Sequence, residues 1–324
     1  MSEIDHPQGM KTSPFGTMHW FLGVVEDRND PEQAGRVRVR CLGVHSESTA
    51  DVPTDQLPWA LVAISPTSGA GIGHSPTGIV PGSWVVGFFL DGKYAQQPVV
   101  TGSIFGIPAA DSAPMGGGFV DPAGTFPRNK DEPEVSRIAR GTAPTARPAA
   151  DGAIGAPGSA YAAKYPFNKV IETETGHVIE LDDTEGAERI FVMHKSGSYT
   201  EFYPDGTVVS HAAKDQFRTV MGNDAIHVAG NVKVVIDGDA NLSVSGNVTS
   251  EVGGTLDAKV AGDANVSTGN LTASAKDVTI RGSGKVNVIG NGLNIRSSGS
   301  ATIRGSSSVT IQAPKINLRG KVSM

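Results

Sequence analysis

The sequence predicts an all-β protein in two parts, a small five-stranded barrel followed by a β-helical shaft, and three observations predict it. Short apolar stretches broken by Gly, Pro and Asp run from Trp20 to Ile104, as the strands of a small barrel do. A Val/Ile-x-Gly motif then recurs with a period of eight towards the C-terminus. The third observation is a shortage: aromatics are 6% of the 324 residues and glycine accounts for 41 of them, so a core of large side chains cannot run through the whole chain. Part of the protein has to be thin.

Residues 1–17, MSEIDHPQGMKTSPFGT, are a polar arm with no apolar leader segment, and nowhere do apolar residues run on for the ~18 or more that a membrane helix needs. A soluble product assembled in the cytoplasm is expected. Residues 18–107 hold the five strand-like stretches, Trp20–Val25, Val37–Val44, Trp59–Ile64, Trp84–Leu90 and Val99–Ile104, and all three tryptophans. The segments between them, Asp27–Gly35 and Ser65–Gly82, have loop composition. Five strands fit an OB-fold better than a sandwich, which needs about seven. Arg36, Arg38 and Arg40 alternate onto one strand face, expected to meet solvent or another subunit. Cys41 is the only cysteine and sits in an apolar run, which predicts a buried thiol and excludes an intrachain disulfide or a CxxC site.

Residues 108–166 turn to Ala, Pro and Gly, above all in TAPTARPAADGAIGAPGSAYAAKYP, and are expected to be a partly extended linker draped over a neighbouring surface. Residues 167–216 lead into the repeat, and residues 217–324 carry it. Glycines stand eight apart at Gly222, Gly230, Gly238, Gly246, Gly254 and Gly262, and two places before each stands Val220, Val228, Ile236, Val244, Val252 or Val260. After Gly262 the register slips, then recovers at Ile280-x-Gly282, Val288-x-Gly290, Ile303-x-Gly305, Ile311-x-Ala313 and Leu318-x-Gly320.

Strand alternation puts Ile226 and Val228 on one side of an octad and His227 on the other. Each repeat therefore offers a few small apolar side chains to one face, too little for a layer with its own core. The recurring glycine marks a corner, where φ is positive or where backbones approach closely. Two architectures satisfy the pattern. One chain could coil with roughly three octads per turn, or three copies could interleave, each octad crossing one face of a triangular prism. The second covers every strand edge, and its narrow interior suits a sequence poor in rings.

The formal net charge of −6, without a basic run, leaves no electrostatic footprint for nucleic acid. The histidines, His6, His19, His45, His74, His177, His194, His211 and His227, form no H-x-H or HExxH motif, although a threefold axis could gather copies of His211 or His227 around an ion. The acidic pairs Glu172/Glu174 and Asp182/Asp183 lie in turn-rich sequence, where solvated or turn-capping carboxylates are expected rather than a glycosidase pair. No cofactor is implied.

Several strings are more specific than composition. GVVEDRNDPEQAGRVRVRCLG (23–43), LPWALVAISPTSG (57–69) and GSWVVGFFLDGKYAQQPVVTGSI (82–104) resemble the OB domain of the central spike proteins of contractile-tailed phage baseplates, the baseplate hub subunit and tail lysozyme family. GFVDPAGTFPRNKDEPEVSRIARG (118–141) resembles that family's extension after the barrel, TETGHVIELDDTEGAERIFVMHKSG (173–197) its entry to the β-helix, and the octads its shaft.

The resemblance implies a homotrimeric, cell-puncturing spike in the virion baseplate, with OB domains beneath a ring-shaped hub protein and an intertwined triple-stranded β-helix directed at the host outer envelope. It also implies a departure, because the best-known members carry a lysozyme domain between barrel and β-helix, where this chain has only about Thr142 to Pro166. No enzymatic activity is expected. A type VI secretion spike, which fuses hub domains ahead of the barrel, is one alternative, and an oligosaccharide- or nucleic-acid-binding OB protein on a β-helical stalk is another. The C-terminus, INLRGKVSM, lacks the histidines of iron-tipped relatives, so a separate PAAR-like tip protein is expected to cover Ile316, Leu318 and Val322.

Overall fold

Five strands close a barrel: β1 (His19–Asp27), β2 (Val37–Cys41), β3 (Trp59–Val62), β4 (Trp84–Phe89) and β5 (Pro98–Ile104). They lie in the order β1-β2-β3-β5-β4, with β4 returning to β1 and only β3 and β5 parallel. The computed structural model describes residues 18–108, 117–144 and 154–320, so the polar arm (1–17) lies outside the described residues. Among the described residues there is no α-helix.

Each apolar stretch anticipated as a barrel strand overlaps one, with ends that differ by a few residues, because alternation points one set of side chains inward. That set is Phe21, Val25, Val37, Val39, Cys41, Ala60, Val85, Phe89 and Val100, all buried, with the Phe21 and Phe89 rings 4.9 Å apart. Gly87 is needed where β4 crosses β5 closely. A Cβ there would stand 2.1 Å from the Val99 carbonyl oxygen and 2.6 Å from the edge of Phe21, and the β4–β5 register shifts at this point.

The stretch from 117 to 134 packs on the outside of the barrel, and the residues after it reach the second sheet, where Ser136 Oγ donates to Glu172. Phe119 stacks on Trp84 at 6.5 Å, the Gly118 amide donates to Glu47 O, and the Gly106 amide donates to Glu134. Asp121 accepts amides from Ala123, Thr125 and Phe126 and so holds its own turn. This cover corrects the expectation for the three arginines. Arg40 is fully buried, donates to both Glu26 oxygens at 2.6 and 3.1 Å, and reaches the carbonyls of Ser46 and Val52. Arg36 pairs with Asp30 at 2.7 Å, and Arg38 lies over the Trp59 ring at 4.5 Å. They share a strand side, as alternation required, yet the side is covered at Arg40.

A second sheet follows as an antiparallel meander, β6 (Asn168–Glu172), β7 (Val178–Asp182), β8 (Arg189–Met193), β9 (Tyr199–Phe202) and β10 (Val208–His211), in chain order. Its four turns are tight because Gly176, Gly186, Gly197 and Gly206 each adopt a positive φ at no steric cost. One face is covered by the strap leading into β6. The Tyr161 hydroxyl donates to Ile138 O, Ser159 Oγ and the Ala160 amide donate to Glu201, and the Lys164 amide donates to Thr184.

The chain divides between Asn241 and Leu242 into two units. In both, residues 212–320 contain no strand paired within the chain, and every one of them is exposed.

Candidate functional site

The octads form an apolar rail. From Ile226 to Gly262 the large apolar residues and the corner glycines fall chiefly on even positions, as in Val232-x-Val234-x-Ile236-x-Gly238, so strand alternation aims them to one side. The six residues at the Val/Ile position, Val220, Val228, Ile236, Val244, Val252 and Val260, are between 45% and 58% exposed. That is far more than core residues of this type show in a folded layer. Neither reason for a corner glycine is met within one chain: Gly222, Gly230, Gly238, Gly246, Gly254 and Gly262 have no positive φ, and a Cβ on any of them would find nothing within 4 Å. Ile316 and Leu318 are likewise exposed, and Val322 lies outside the described residues.

A second constellation was not legible as such in the sequence. On the covered face of the β6–β10 sheet, Arg189 donates to Glu201 at 3.0 Å and to Glu180, while its guanidinium stacks on Tyr161 and Phe191 at 5.1 and 4.9 Å. Asn168 Nδ2 donates to Glu180 at 3.2 Å. All four polar residues are buried. Burial, with the neighbouring Glu180 charge adding to it, pushes the Tyr161 hydroxyl above its ordinary range. The cluster ties the strap to four strands at once, β6 to β9, through hydrogen bonds among its own polar residues.

The acidic pairs sit at strand ends, Glu172 closing β6 and Asp182 closing β7 with Glu174 and Asp183 in the turns beyond them, and all four are used structurally. Glu172 accepts from Ser136, Glu174 pairs with Arg28, Asp182 is buried with Oδ1 accepting the Thr184 amide, and Asp183 meets Lys169 at 3.0 Å. The Arg28 hydrogen bond holds Glu174 below the usual carboxylate range. Register brings together two histidines that are far apart in sequence, His177 and His194, with ring centroids 4.4 Å apart, while His211 stacks on Tyr199 at 5.2 Å. Among the described residues no three His, Cys, Asp or Glu side chains are grouped to hold a metal. Cys41 is buried, and desolvation pushes its thiol up to about 12.

Comparison with known proteins finds likeness over parts of this chain. Residues 43–162 match the family model for the Gp5 N-terminal OB domain, a span that takes in β3 to β5, the barrel cover and the start of the strap. Protein Gp5 of Vibrio phage KVP40 is 35% identical over 271 residues, covering 68% of this chain and 64% of the relative. The pre-baseplate central spike protein Gp5 of Enterobacteria phage T4 is 45% identical over 118 residues, covering 34% of this chain and 20% of the relative. The chain thus spans just under two thirds of one relative's length and a fifth of the other's.

Proposed function

We propose that this chain, a relative of the central spike proteins of phage baseplates through its Gp5-type OB domain and the sequence beyond it, is the structural subunit of a homotrimeric, cell-puncturing spike. The protein is a component of the phage baseplate. The finer reading is that three copies interleave residues 217–324 into a triple-stranded β-helix, that the barrel seats the spike on a baseplate hub protein, and that the shaft pierces the host outer envelope.

The observation that carries this reading is the exposed apolar rail. Extended backbone with a one-sided Val/Ile face and no ladder of its own is stable in water only when other strands satisfy its amides and cover its side chains. Three identical chains supply both at every level, whereas a single-chain coil would already show pairing inside the chain. Interwinding also suits the mechanical task, since forced unfolding is governed by the unfolding rate and no strand can leave without breaking bonds to two others. At the far end, Ile316 and Leu318, with Val322, offer an apolar edge for a PAAR-like tip protein. An oligonucleotide-binding reading of the barrel gains no support from its arginines, since Arg36 and Arg40 are ion-paired and Arg38 lies on Trp59. No lytic activity is proposed: the described residues between β5 and β6 cover the barrel and strap the second sheet.

Light scattering tests the proposal. The trimer has three times the 33.5 kDa chain mass, and a monomer mass at micromolar concentration overturns it.

A further inference from the structure

The β6–β10 sheet buries one face, where Val178, Phe191 and Tyr199 lie among charged residues, and leaves a largely apolar one open. The strap lies on the face with Asn168, Glu180, Arg189 and Glu201, whereas the other face carries Ile171, Ile179, Leu181, Ile190, Val192 and Phe202, between 41% and 62% exposed. The register lines these six up. Ile171, Ile179 and Val192 are direct cross-strand neighbours in one row, and Leu181, Ile190 and Phe202 in the next. Two adjacent rows of large apolar side chains across four strands make one contiguous patch, interrupted in those rows only by Lys169 at the β6 end and by Thr200 and Ser210 towards β10. Soluble proteins rarely leave such a surface open to water.

We infer that this face is where copies of the chain meet first and that it sets the register of the octads. The inference rests on the trimer reading given above and goes beyond it. The occupant is a second copy of this chain because the sheet runs from His211 into the octads within five residues, so whatever brings three shafts together brings three of these faces together. The chain's own strap is already committed to the opposite side. A carboxylate-rich or polar partner would find no matching groups in the two rows.

Register needs such a device. An eight-residue repeat is nearly self-similar, so two octad chains displaced by one repeat still present apolar to apolar and glycine to glycine, and a slipped pairing costs little. The sheet differs in kind: its strands are paired within one chain, its turns are fixed by positive-φ glycines, and its side-chain pattern does not repeat. It can fold before association and then meet its copies in only one alignment, which makes the first contact the in-register contact.

The test uses the full chain with Ser250→Cys, an even octad position whose three copies lie at one level only when the chains are aligned; the native Cys41 is buried. Oxidation is expected to give a disulfide-linked dimer band. Ile190→Asp is then added, with Ile190→Ala as the milder form, and amide exchange across β7 and β8 confirms that the sheet itself remains folded. The expected result is a loss of the cross-linked band of tenfold or more with Ile190→Asp and a smaller loss with Ile190→Ala. Cross-linking and trimer mass unchanged in Ile190→Asp overturn the inference while leaving the trimer in place. A monomer mass for the unsubstituted chain overturns the trimer reading and this inference with it.

Discussion

Arg189 on β8 donates to Glu201 on β9 across 3.0 Å, and neither side chain meets solvent. The same guanidinium serves Glu180 on β7, so one cation is shared by two buried carboxylates. Removing it leaves both carboxylates buried without that cation, a change that costs about 3–5 kcal/mol in comparable pairs. Arg189→Met should therefore lower the denaturation midpoint of the sheet, while Arg189→Lys, which keeps the charge and loses the fork, falls between. Urea unfolding followed by far-UV circular dichroism measures the order of the three proteins.

The barrel was legible in the sequence because each strand carries a clean period of two between loops rich in Gly and Pro, and Trp20–Val25 or Trp84–Leu90 could be little else. The second sheet was legible only as a passage into the repeat. Alternation separates Glu180 and Asp182 from Ile179 and Leu181 but cannot say which set is covered. The fold covers the side that carries Glu180 and Asp182 together with Val178, Phe191 and Tyr199, because a strap some twenty residues upstream and Arg189, on the strand between those of Glu180 and Glu201, satisfy the polar set. Arg40 escaped for a similar reason: its partner Glu26 is on another strand and its cover arrives from residues 46–54 and 118. What sequence patterning gives is the sidedness of a strand; what it omits is which neighbour arrives at each side.

At Gly87 the barrel leaves no room for a side chain. A Cβ at 2.1 Å from Val99 O cannot be relieved by a rotamer change because the obstacle is backbone, so Gly87→Ala has to move β4 off β5 and should lose about 2–3 kcal/mol. Gly102 on the facing strand is the control, since its Cβ would only touch Val86 Cγ1 at 3.9 Å. Tryptophan fluorescence during denaturation reports on the barrel alone, as all three tryptophans lie in it; equal midpoints for the two variants would refute the argument.

Cys41 should be chemically silent in the folded protein. Burial pushes its thiol to about 12, so almost no thiolate is present near pH 8 and the sulfur is shielded as well. Iodoacetamide is expected to label it only after denaturant is added. Rapid labelling of the native chain, read by mass spectrometry, would mean that the barrel opens on the timescale of the reaction.

Acid should loosen the β1–β2 loop. The hydrogen-bonded Arg36 guanidinium, helped by the amides of Glu32, Ala34 and Arg36, holds Asp30 far below the usual carboxylate range. A group whose folded value is depressed stabilises the fold fully above its unfolded value of about 3.9 and loses that contribution as pH falls towards the folded value. Asp30→Asn is thus expected to melt below the unsubstituted protein at pH 7, with the gap narrowing once the pH drops below about 4. Thermal melts across that range check it, and a constant gap would show that Asp30 acts through shape rather than charge.

The last prediction separates one chain from three by the sign of an effect. Gly238 has no positive φ, and within its own chain a Cβ there meets nothing. If the octads worked as single chains, Gly238→Ala would be harmless or would stabilise by about 0.4–1 kcal/mol through the unfolded state. If three backbones converge at the corners, each copy adds a Cβ to a site that another chain fills, and the cost is about 1–3 kcal/mol per chain, repeated three times. Gly238→Val enlarges the difference because its branched Cβ is bulkier, and Lys233→Ala, an odd position on the opposite side of the strand, supplies the control. Heating each variant while recording mass by light scattering gives the temperature at which the assembly dissociates. A fall for both Gly238 variants with Lys233→Ala unchanged places other chains at the corners; a rise for Gly238→Ala returns the shaft to a single-chain coil.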